Sequence, residues 1–267
     1  MIGRMFEPPR AKFHVAPQYQ PLMRDVGLDA DAVFTHPAIK VWRSIPEREN
    51  CTLDAEFGGR KIRLHIKRYR PTTGFTLPAD DEAKAIRALI VEQIPTTPLV
   101  GWGSLPDRSS FVITEDLAGY EAADKLIEAG MPFEKMLNST ADLAAKLHAH
   151  GLHHRDLYLC HFFVKRDDPN DVRLIDAARV ARLGGIFTRA RWIKKDLAQF
   201  WYSTLSLPIT DDERLAWLQR YSEQRSLPSA QPLVKGIERK AKWIARHDRK
   251  LSMKQPGRNV SIPGERA

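Results

Sequence analysis

The stretch of sequence that decides the fold reads Leu152-His-His-Arg-Asp-Leu-Tyr-Leu-Cys-His-Phe-Phe-Val164. Before it, apolar residues between Phe133 and His150 recur at spacings of three and four, which predicts a helix, and Gly151 suits its C-terminal cap. After it, the turn Asp168-Pro-Asn-Asp171 separates two short apolar runs and predicts a hairpin that leads into Asp176. A long helix is therefore followed by a polar loop with a carboxylate, and a hairpin supplies a second carboxylate.

This order of helix, loop and hairpin resembles the catalytic segment of protein kinases, in which His-Arg-Asp precedes a metal-binding Asp. Phosphoryl transfer needs one carboxylate beside the attacking hydroxyl and another that holds Mg²⁺ against the phosphates. The resemblance implies that Asp156 accepts the proton, that Arg155 belongs to the same catalytic loop, and that Asp176 binds Mg²⁺. His161 falls where protein kinases place a second metal ligand, so it is a further candidate ligand. Because imidazole is a poor ligand for a hard cation, a bond from His161 to Asp176 or to a phosphate is the alternative.

A second set of candidates lies in an alternating segment over 52–69, which predicts a β-hairpin with Gly58-Gly59 at its turn. Lys67 ends the run Leu-His-Ile-Lys on the second strand and resembles the Val-Ala-Ile-Lys lysine of kinases, which contacts the ATP phosphates. One exposed lysine among several basic neighbours is the alternative interpretation. Phe57-Gly58-Gly59 resembles a reduced glycine-rich loop, so Gly58 and Gly59 are candidate phosphate contacts.

Two further segments complete the predicted nucleotide site. A helix over 80–93 should supply a glutamate that pairs with Lys67, with Glu82 favoured over Glu92. The strand Phe-Val-Ile-Thr114 and the following Glu115-Asp-Leu117 resemble the segment that grips adenine, so Thr114, Glu115 and Leu117 are candidate ATP contacts. A plain core strand followed by a turn is the alternative.

One acidic residue after the hairpin, Asp196, has two interpretations. Asp196 lies in Lys-Lys-Asp-Leu-Ala-Gln-Phe-Trp, at the predicted beginning of an apolar helix. In kinase-like folds an Asp at this place holds the backbone of the catalytic loop. A carboxylate at a helix N-terminus is also favourable on electrostatic grounds alone.

The run His-Arg-Asp-Leu-Tyr-Leu-Cys-His-Phe-Phe closely resembles the signature of the bacterial lipopolysaccharide kinase family, the inner-core heptose and Kdo kinases. The resemblance extends over about 50–205, through Phe-Val-Ile-Thr-Glu-Asp-Leu, Leu-Ile-Asp-Ala-Ala-Arg179 and Lys195-Asp-Leu-Ala. It implies ATP- and Mg²⁺-dependent phosphorylation of a sugar hydroxyl on lipopolysaccharide core or a related glycolipid, at the cytoplasmic face of the inner membrane. A small-molecule or protein kinase of the same fold, or a pseudokinase that only binds, remains an alternative.

The element order predicts an α+β, protein-kinase-like fold with two lobes. Residues 1–45 are expected to form an N-terminal extension, and 46–117 a small ATP-binding lobe with an antiparallel sheet and one helix. Residues 118–267 are expected to form a larger, mainly helical catalytic lobe.

Charge and composition restrict the partners and the compartment. The net charge is +9, and the segment 235–258 holds nine Lys or Arg against Glu238 and Asp248, a local excess of 9 − 2 = +7. Such a segment suits an anionic membrane surface, although a solvated basic helix face is the alternative, and no nucleic-acid partner is expected. The two cysteines form no disulfide framework or zinc pattern, and no apolar run predicts a membrane-spanning helix. The first 15 residues lack the apolar region of a secretory signal, so a cytoplasmic location is expected.

Overall fold

The computed structural model of the chain describes residues 10–254, which divide into two units. Among the described residues, unit 1 comprises 10–84 and 98–116, and unit 2 comprises 85–97 and 117–254. Unit 1 contains one large antiparallel sheet, and unit 2 is mainly helical with two small sheets. The predicted α+β fold, with a sheet-rich and a helical part, is confirmed.

Unit 1 is built on a six-stranded sheet with the order β1-β5-β6-β4-β3-β2. Every neighbouring pair in it is antiparallel. Its elements are β1 (Lys12–Val15), α1 (Gln20–Asp25), α2 (Ala32–Thr35), β2 (Lys40–Ile45), β3 (Arg48–Phe57), β4 (Arg60–Tyr69), β5 (Leu99–Ser104) and β6 (Ser110–Glu115). Helix α3 (Pro78–Val91) follows β4, and the boundary between the two units falls within it.

The alternation of apolar and polar residues along β3 and β4 fits the register in which the two strands pair. Leu53, Leu64 and Ile66 lie on the core face, and the strands pair without a bulge from Arg48–Tyr69 to the turn. Gly58 and Gly59 have φ values of +58° and +74°, which glycine adopts without the steric cost that a side chain imposes. The hairpin predicted over 52–69 is therefore present, with β3 extending four residues further towards the N-terminus, from Thr52 to Arg48.

The predicted N-terminal extension over 1–45 needs correction, because its described part is integral to unit 1. Strand β1 pairs with β5 and β2 pairs with β3, so both edges of the sheet come from this segment. Leu22, Met23 and Val33 are almost fully buried in the same apolar cluster as Leu53 and Phe111. Burying side chains of this size stabilises a fold by about 1.5–3 kcal/mol each, so the helices α1 and α2 act as part of the core.

Unit 2 begins with residues 85–97 of the chain and continues from 117. Strands β7 (Tyr120–Ala122), β9 (Phe162–Lys165) and β10 (Val172–Leu174) form one sheet, and β8 (Leu152–His153) pairs with β11 (Ala181–Arg182). The helices are α4 (Ala123–Glu128), α5 (Glu134–Ala149), α6 (Ile186–Thr204), α7 (Asp211–Gln224) and α8 (Gln231–Lys254). The division between the units after the sheet falls at 116–117, one residue before the predicted lobe boundary at 117–118, and 85–97 belongs to the helical unit.

Aromatic packing holds the helices of unit 2 together. Phe200 on α6 stacks on Trp217 of α7 with ring centroids 3.8 Å apart, and Trp217 stacks in turn near Tyr221. The indole N–H of Trp217 donates to the Thr140 hydroxyl of α5 at 3.0 Å. The buried indole therefore meets its hydrogen-bonding requirement within the core.

The last helix, α8, is amphipathic, and its apolar side faces unit 2. Ile237, Ala241 and Ile244 are buried on one side of α8, which packs against α6. Residues 255–258 of the predicted basic segment lie outside the described residues. Within 10–254, no helix combines the length and the apolar character that spanning a bilayer requires.

Candidate active site

In unit 1 the structure brings Lys67 and Glu82 together. The Lys67 ammonium lies 2.6 Å from Glu82 Oε1, and Glu82, on α3, is only 3% exposed. The Tyr69 hydroxyl donates to the other carboxylate oxygen, and burial raises the pKa of this tyrosine. A buried carboxylate held by two partners fixes the lysine head group in one position. Glu92 does not take this role, because it pairs with His150 and Arg182 of unit 2.

The two candidate phosphate glycines do not lie near that lysine. Gly58 and Gly59 form the turn between β3 and β4, where Phe57 opposes Arg60. Lys67 lies seven residues along β4 from Arg60, which at roughly 3.3 Å per residue amounts to about 23 Å. The interpretation of Gly58 and Gly59 as contacts of the same phosphates is therefore corrected: they are turn residues at the far end of the hairpin.

The candidate adenine-binding segment includes the last residues of β6 and continues from unit 1 into unit 2. Thr114 pairs across the sheet with His65, and the backbone N–H of Glu115 donates to the Pro98 carbonyl at 3.0 Å. The Glu115 carboxylate accepts a hydrogen bond from the Tyr19 hydroxyl. Leu117 is the first residue of the segment that belongs to unit 2. An adenine contact through the Glu115 N–H is thus blocked by an existing bond, and contacts through the other backbone groups of this segment stay predictions.

In unit 2 the catalytic loop is anchored by Asp196. Its two carboxylate oxygens accept the backbone N–H of His154 at 2.6 Å and of Arg155 at 2.9 Å. Burial opposes ionisation of Asp196, but the bonds from His148 and from the backbone outweigh it and lower the pKa of the carboxyl. Because α6 begins at Ile186, Asp196 lies in the helix interior, and its interpretation as an N-terminal helix carboxylate is wrong.

Asp156 lies directly after the anchored backbone and carries its own polar partners. Arg179 Nη1 is 3.1 Å from each carboxylate oxygen, and the Gln199 amide donates to Oδ1 at 3.3 Å. The Gln199 oxygen accepts the N–H of Leu157, so this one side chain fixes both the carboxylate and the loop behind it. The Asp156 side chain remains 23% exposed, which leaves a route for an acceptor hydroxyl.

Asp176 follows β10 in a left-handed backbone conformation, with φ 56° and ψ 58°. The preceding Ile175 is tied to the loop on both sides: its carbonyl accepts His154 Nε2 at 3.0 Å, and its N–H donates to the His161 carbonyl. His154 is fully buried, and burial lowers its pKa, so the neutral ring donates through Nε2. The segments that carry the two candidate carboxylates, Asp156 and Asp176, are therefore joined by hydrogen bonds within unit 2.

His161 bridges these segments. Burial by itself would lower the pKa of His161, but the hydrogen bond to Cys160 and the charge of Asp176 raise it to about 9. Because a carbonyl can only accept, the ring donates from Nδ1 to the Asp156 carbonyl at 2.5 Å, and Nε2 lies 3.9 Å from Asp176 Oδ2. Nε2 therefore faces the candidate metal-binding carboxylate, and the role of His161 as a Mg²⁺ ligand stays a prediction.

The fit of Mg²⁺ can be judged from the carboxylate donors. Within 10–254 no cluster of three or more His, Cys, Asp or Glu side chains is arranged to hold a metal. Mg²⁺ at phosphoryl-transfer sites is commonly bound through one or two carboxylates together with substrate phosphates and water. The partly exposed carboxylate of Asp176 meets that requirement, so a metal carried by the nucleotide fits this site.

Three side chains at the site were not identified from the sequence. Arg179 and Gln199 contact Asp156, and Lys195 Nζ donates to the Arg155 carbonyl at 2.6 Å. The spacing of Gln199, three residues after Asp196, was the available signal, since residues three apart share a helix face. Arg179 was visible only as part of a family signature, because nothing in its local sequence indicates the partner.

Comparison with known proteins matches this chain to one family. Residues 43–221 match the family model described as the lipopolysaccharide kinase (Kdo/WaaP) family. The chain is 28% identical over 232 residues to the lipopolysaccharide core heptose(I) kinase WaaP of Pseudomonas aeruginosa, a match that covers 77% of this chain and 86% of that protein. It is 30% identical over 161 residues to the protein of the same name from Escherichia coli K12, which covers 54% of this chain and 60% of the relative.

Proposed function

We propose, from the premise that this chain belongs to the lipopolysaccharide kinase (Kdo/WaaP) family, that it transfers the γ-phosphate of ATP to a heptose hydroxyl of the lipopolysaccharide inner core. The observation that carries the proposal is the catalytic loop, in which Asp156 follows a backbone held by the buried Asp196. Lys67, paired with Glu82, meets the requirement for a fixed cation at the phosphates.

The proposed reaction moves one phosphoryl group to the sugar and one proton away from it. The sugar oxygen attacks the γ-phosphorus, the bond from that phosphorus to the β–γ bridging oxygen breaks, and ADP leaves. Asp156 orients the hydroxyl and accepts its proton, while Arg179 and Gln199 hold the carboxylate in place. Asp176 would hold Mg²⁺, which would neutralise negative charge on the phosphates. His161 stabilises the loop through the Asp156 carbonyl and brings a positive charge beside Asp176.

The test measures transfer of labelled phosphate from ATP to lipopolysaccharide core that lacks its heptose phosphate, with mass spectrometry of the product. Asp156→Asn keeps the size and one acceptor oxygen but removes the base, and we expect transfer to fall about 10²–10⁴-fold. Asp142→Asn, on the surface of α5, is the matched control and should retain activity. A wild-type chain that binds ATP but phosphorylates no heptose would show that the acceptor is of another class.

The second part of the proposal is peripheral binding to an anionic membrane surface at the cytoplasmic face of the inner membrane. Opposite its buried side, α8 exposes a cationic stripe that consists of Lys235, Arg239, Lys242, Arg246, Arg249 and Lys250. Of the two acidic residues of the helix, Asp248 is engaged by the Tyr202 hydroxyl at 2.7 Å. Because the apolar side of α8 packs inside unit 2, the contact with lipid is electrostatic rather than a hydrophobic insertion.

Removing the whole helix would expose the surface that Ile237, Ala241 and Ile244 cover, so charge neutralisation is the sharper experiment. Replacing Lys235, Arg239 and Lys242 with Gln removes three charges, each worth about 1 kcal/mol near anionic lipid. Vesicle affinity should fall about 100-fold, and less at high salt. The matched triple of Lys61, Lys84 and Lys135, all exposed, should bind like the wild type. An equal loss of vesicle affinity in both triple variants would mean that the net charge of the protein, and not the stripe on α8, determines binding.

A further inference from the structure

One face of the β2–β3–β4 sheet carries a row of polar side chains beside Lys67. In the register of the strands, Arg43 lies opposite Asn50, and Asn50 lies opposite Lys67. Directly opposed residues of antiparallel strands point to the same face, so these three side chains share it. In the next row of the same face, Arg48 lies opposite Tyr69, whose hydroxyl donates to Glu82.

Two members of these rows have buried polar atoms without a partner. Asn50 is 7% exposed, and its Oδ1 forms no hydrogen bond with the described residues. Arg48 is half-buried, and its Nε is likewise buried without a partner among the described residues. Buried polar groups in folded proteins are nearly always hydrogen-bonded. Two unsatisfied groups on the Lys67 face therefore indicate a polar ligand at this place.

The topology of the hairpins indicates which ligand. In protein kinases a glycine-rich hairpin covers the nucleotide phosphates, and its backbone N–H groups contact them. Here Gly58 and Gly59 are at the far end of β3 and β4, and the turn near Arg48 is Pro46-Glu47. Proline has no N–H, and the turn contains no glycine, so it offers fewer backbone donors than a glycine-rich loop does.

We infer that Arg48 and Asn50 bind the phosphates of a nucleoside triphosphate. Their side chains would make the contacts that backbone N–H groups make in glycine-rich loops. Arginine suits this role because its planar guanidinium matches phosphate oxygens with two parallel N–H bonds. The Asn50 amide contributes its NH₂ donor once its orientation is reversed, an exchange that hydrogen bonding decides. Arg43, in the same row, adds positive charge. The inference rests on the proposed use of ATP.

The test is the ratio of ATP to adenosine affinity, measured by calorimetry on the full chain with Mg²⁺ and without any acceptor. Arg48→Gln should weaken ATP binding about 10- to 100-fold and leave adenosine binding unchanged, since only the phosphates lose a partner. Arg48→Lys should recover part of the loss. Asn50→Asp, which places a negative charge opposite Lys67, should also weaken ATP more than adenosine.

Arg70→Gln is the matched control, because it removes the same charge from the sheet on the other face, where Arg70 contacts Ser44 and Glu49. Urea unfolding of each variant shows whether the sheet is intact. An unchanged ratio in Arg48→Gln, an equal loss in Arg70→Gln, or a wild-type chain that binds no ATP overturns the inference. A changed ratio in a chain that phosphorylates no heptose leaves this phosphate site standing and refutes only the proposed acceptor.

Discussion

Asp196→Asn is the substitution whose cost the structure defines best. The carboxylate is completely buried, and each of its oxygens accepts one backbone N–H of the catalytic loop, from His154 and from Arg155. An asparagine has one acceptor oxygen and places its NH₂ group against the other N–H. One charge-assisted hydrogen bond therefore loses its charge, and one buried donor loses its partner.

These two losses set the magnitude. A hydrogen bond to a charged group contributes about 1.5–3 kcal/mol, and an unsatisfied buried donor costs about 1–3 kcal/mol. We expect the free energy of unfolding to fall by about 3–5 kcal/mol, a large part of the 5–15 kcal/mol typical of folded proteins. Urea unfolding followed by circular dichroism measures the change, and phosphate transfer should fall with it because Asp156 follows the released backbone.

Asp142→Asn is the control with the same chemistry at the surface. Its carboxylate pairs with Arg220 at 2.7 and 2.8 Å but is 38% exposed, so the pair contributes at most about 1 kcal/mol. Asp196→Asn should thus cost at least three times as much. If both variants unfold at the same urea concentration, Asp196 does not hold the loop and the reasoning fails.

Three further predictions follow from neighbouring contacts. Burial lowers the pKa of His153 from 6.5 to about 4, so the unfolded chain binds the proton first and stability falls as the pH drops through this window. By pH 5 the loss is about 2 kcal/mol, and His153→Gln should show a smaller difference between pH 7.5 and 5 in urea unfolding; an equal difference contradicts the assignment. Glu82→Gln removes the carboxylate charge that lies 2.6 Å from Lys67 and should lower kcat at least 10-fold in phosphate transfer, whereas Glu92→Gln, just after the end of α3, should not. Arg179→Gln should lower kcat while unfolding stability changes by less than about 1 kcal/mol, because the guanidinium is 56% exposed; a stability loss of several kcal/mol would contradict a role confined to Asp156.

The sequence predicted the local elements of the fold well because their periods are unambiguous. The alternation around Lys67 gave the hairpin and its turn, and the spacing of 15 residues to Glu82 places the glutamate on the next helix. The N-terminal segment was misjudged because β1 is only four residues long and pairs with β5, almost ninety positions away. No local pattern records such a pairing.

The candidate site shows the same division. Asp156 and His161 lie in one contiguous motif, and Asp176 ends the hairpin that follows it, whereas Gln199 and Arg179 approach Asp156 from 43 and 23 positions away. Gly58-Gly59 misled for a related reason: glycines in a hairpin satisfy the turn first, and only the register shows that Lys67 lies at the other end. Composition can indicate a phosphate loop, but the strand pairing decides where it lies.

Backbone strain explains why Asp196 and His154, two fully buried polar residues of unit 2, lie beside the candidate site and bind its backbone. Arg155, which precedes Asp156, and Asp176 have φ values of +69° and +56°. This conformation costs of order 1–3 kcal/mol for residues with side chains. Asp196 holds the first by its N–H, and His154 holds the second through the Ile175 carbonyl. Each of these bonds stabilises by an amount comparable to the strain beside it. The buried Asp196 and His154 are therefore the residues that keep two unfavourable backbone conformations populated, and with them the direction of both carboxylates.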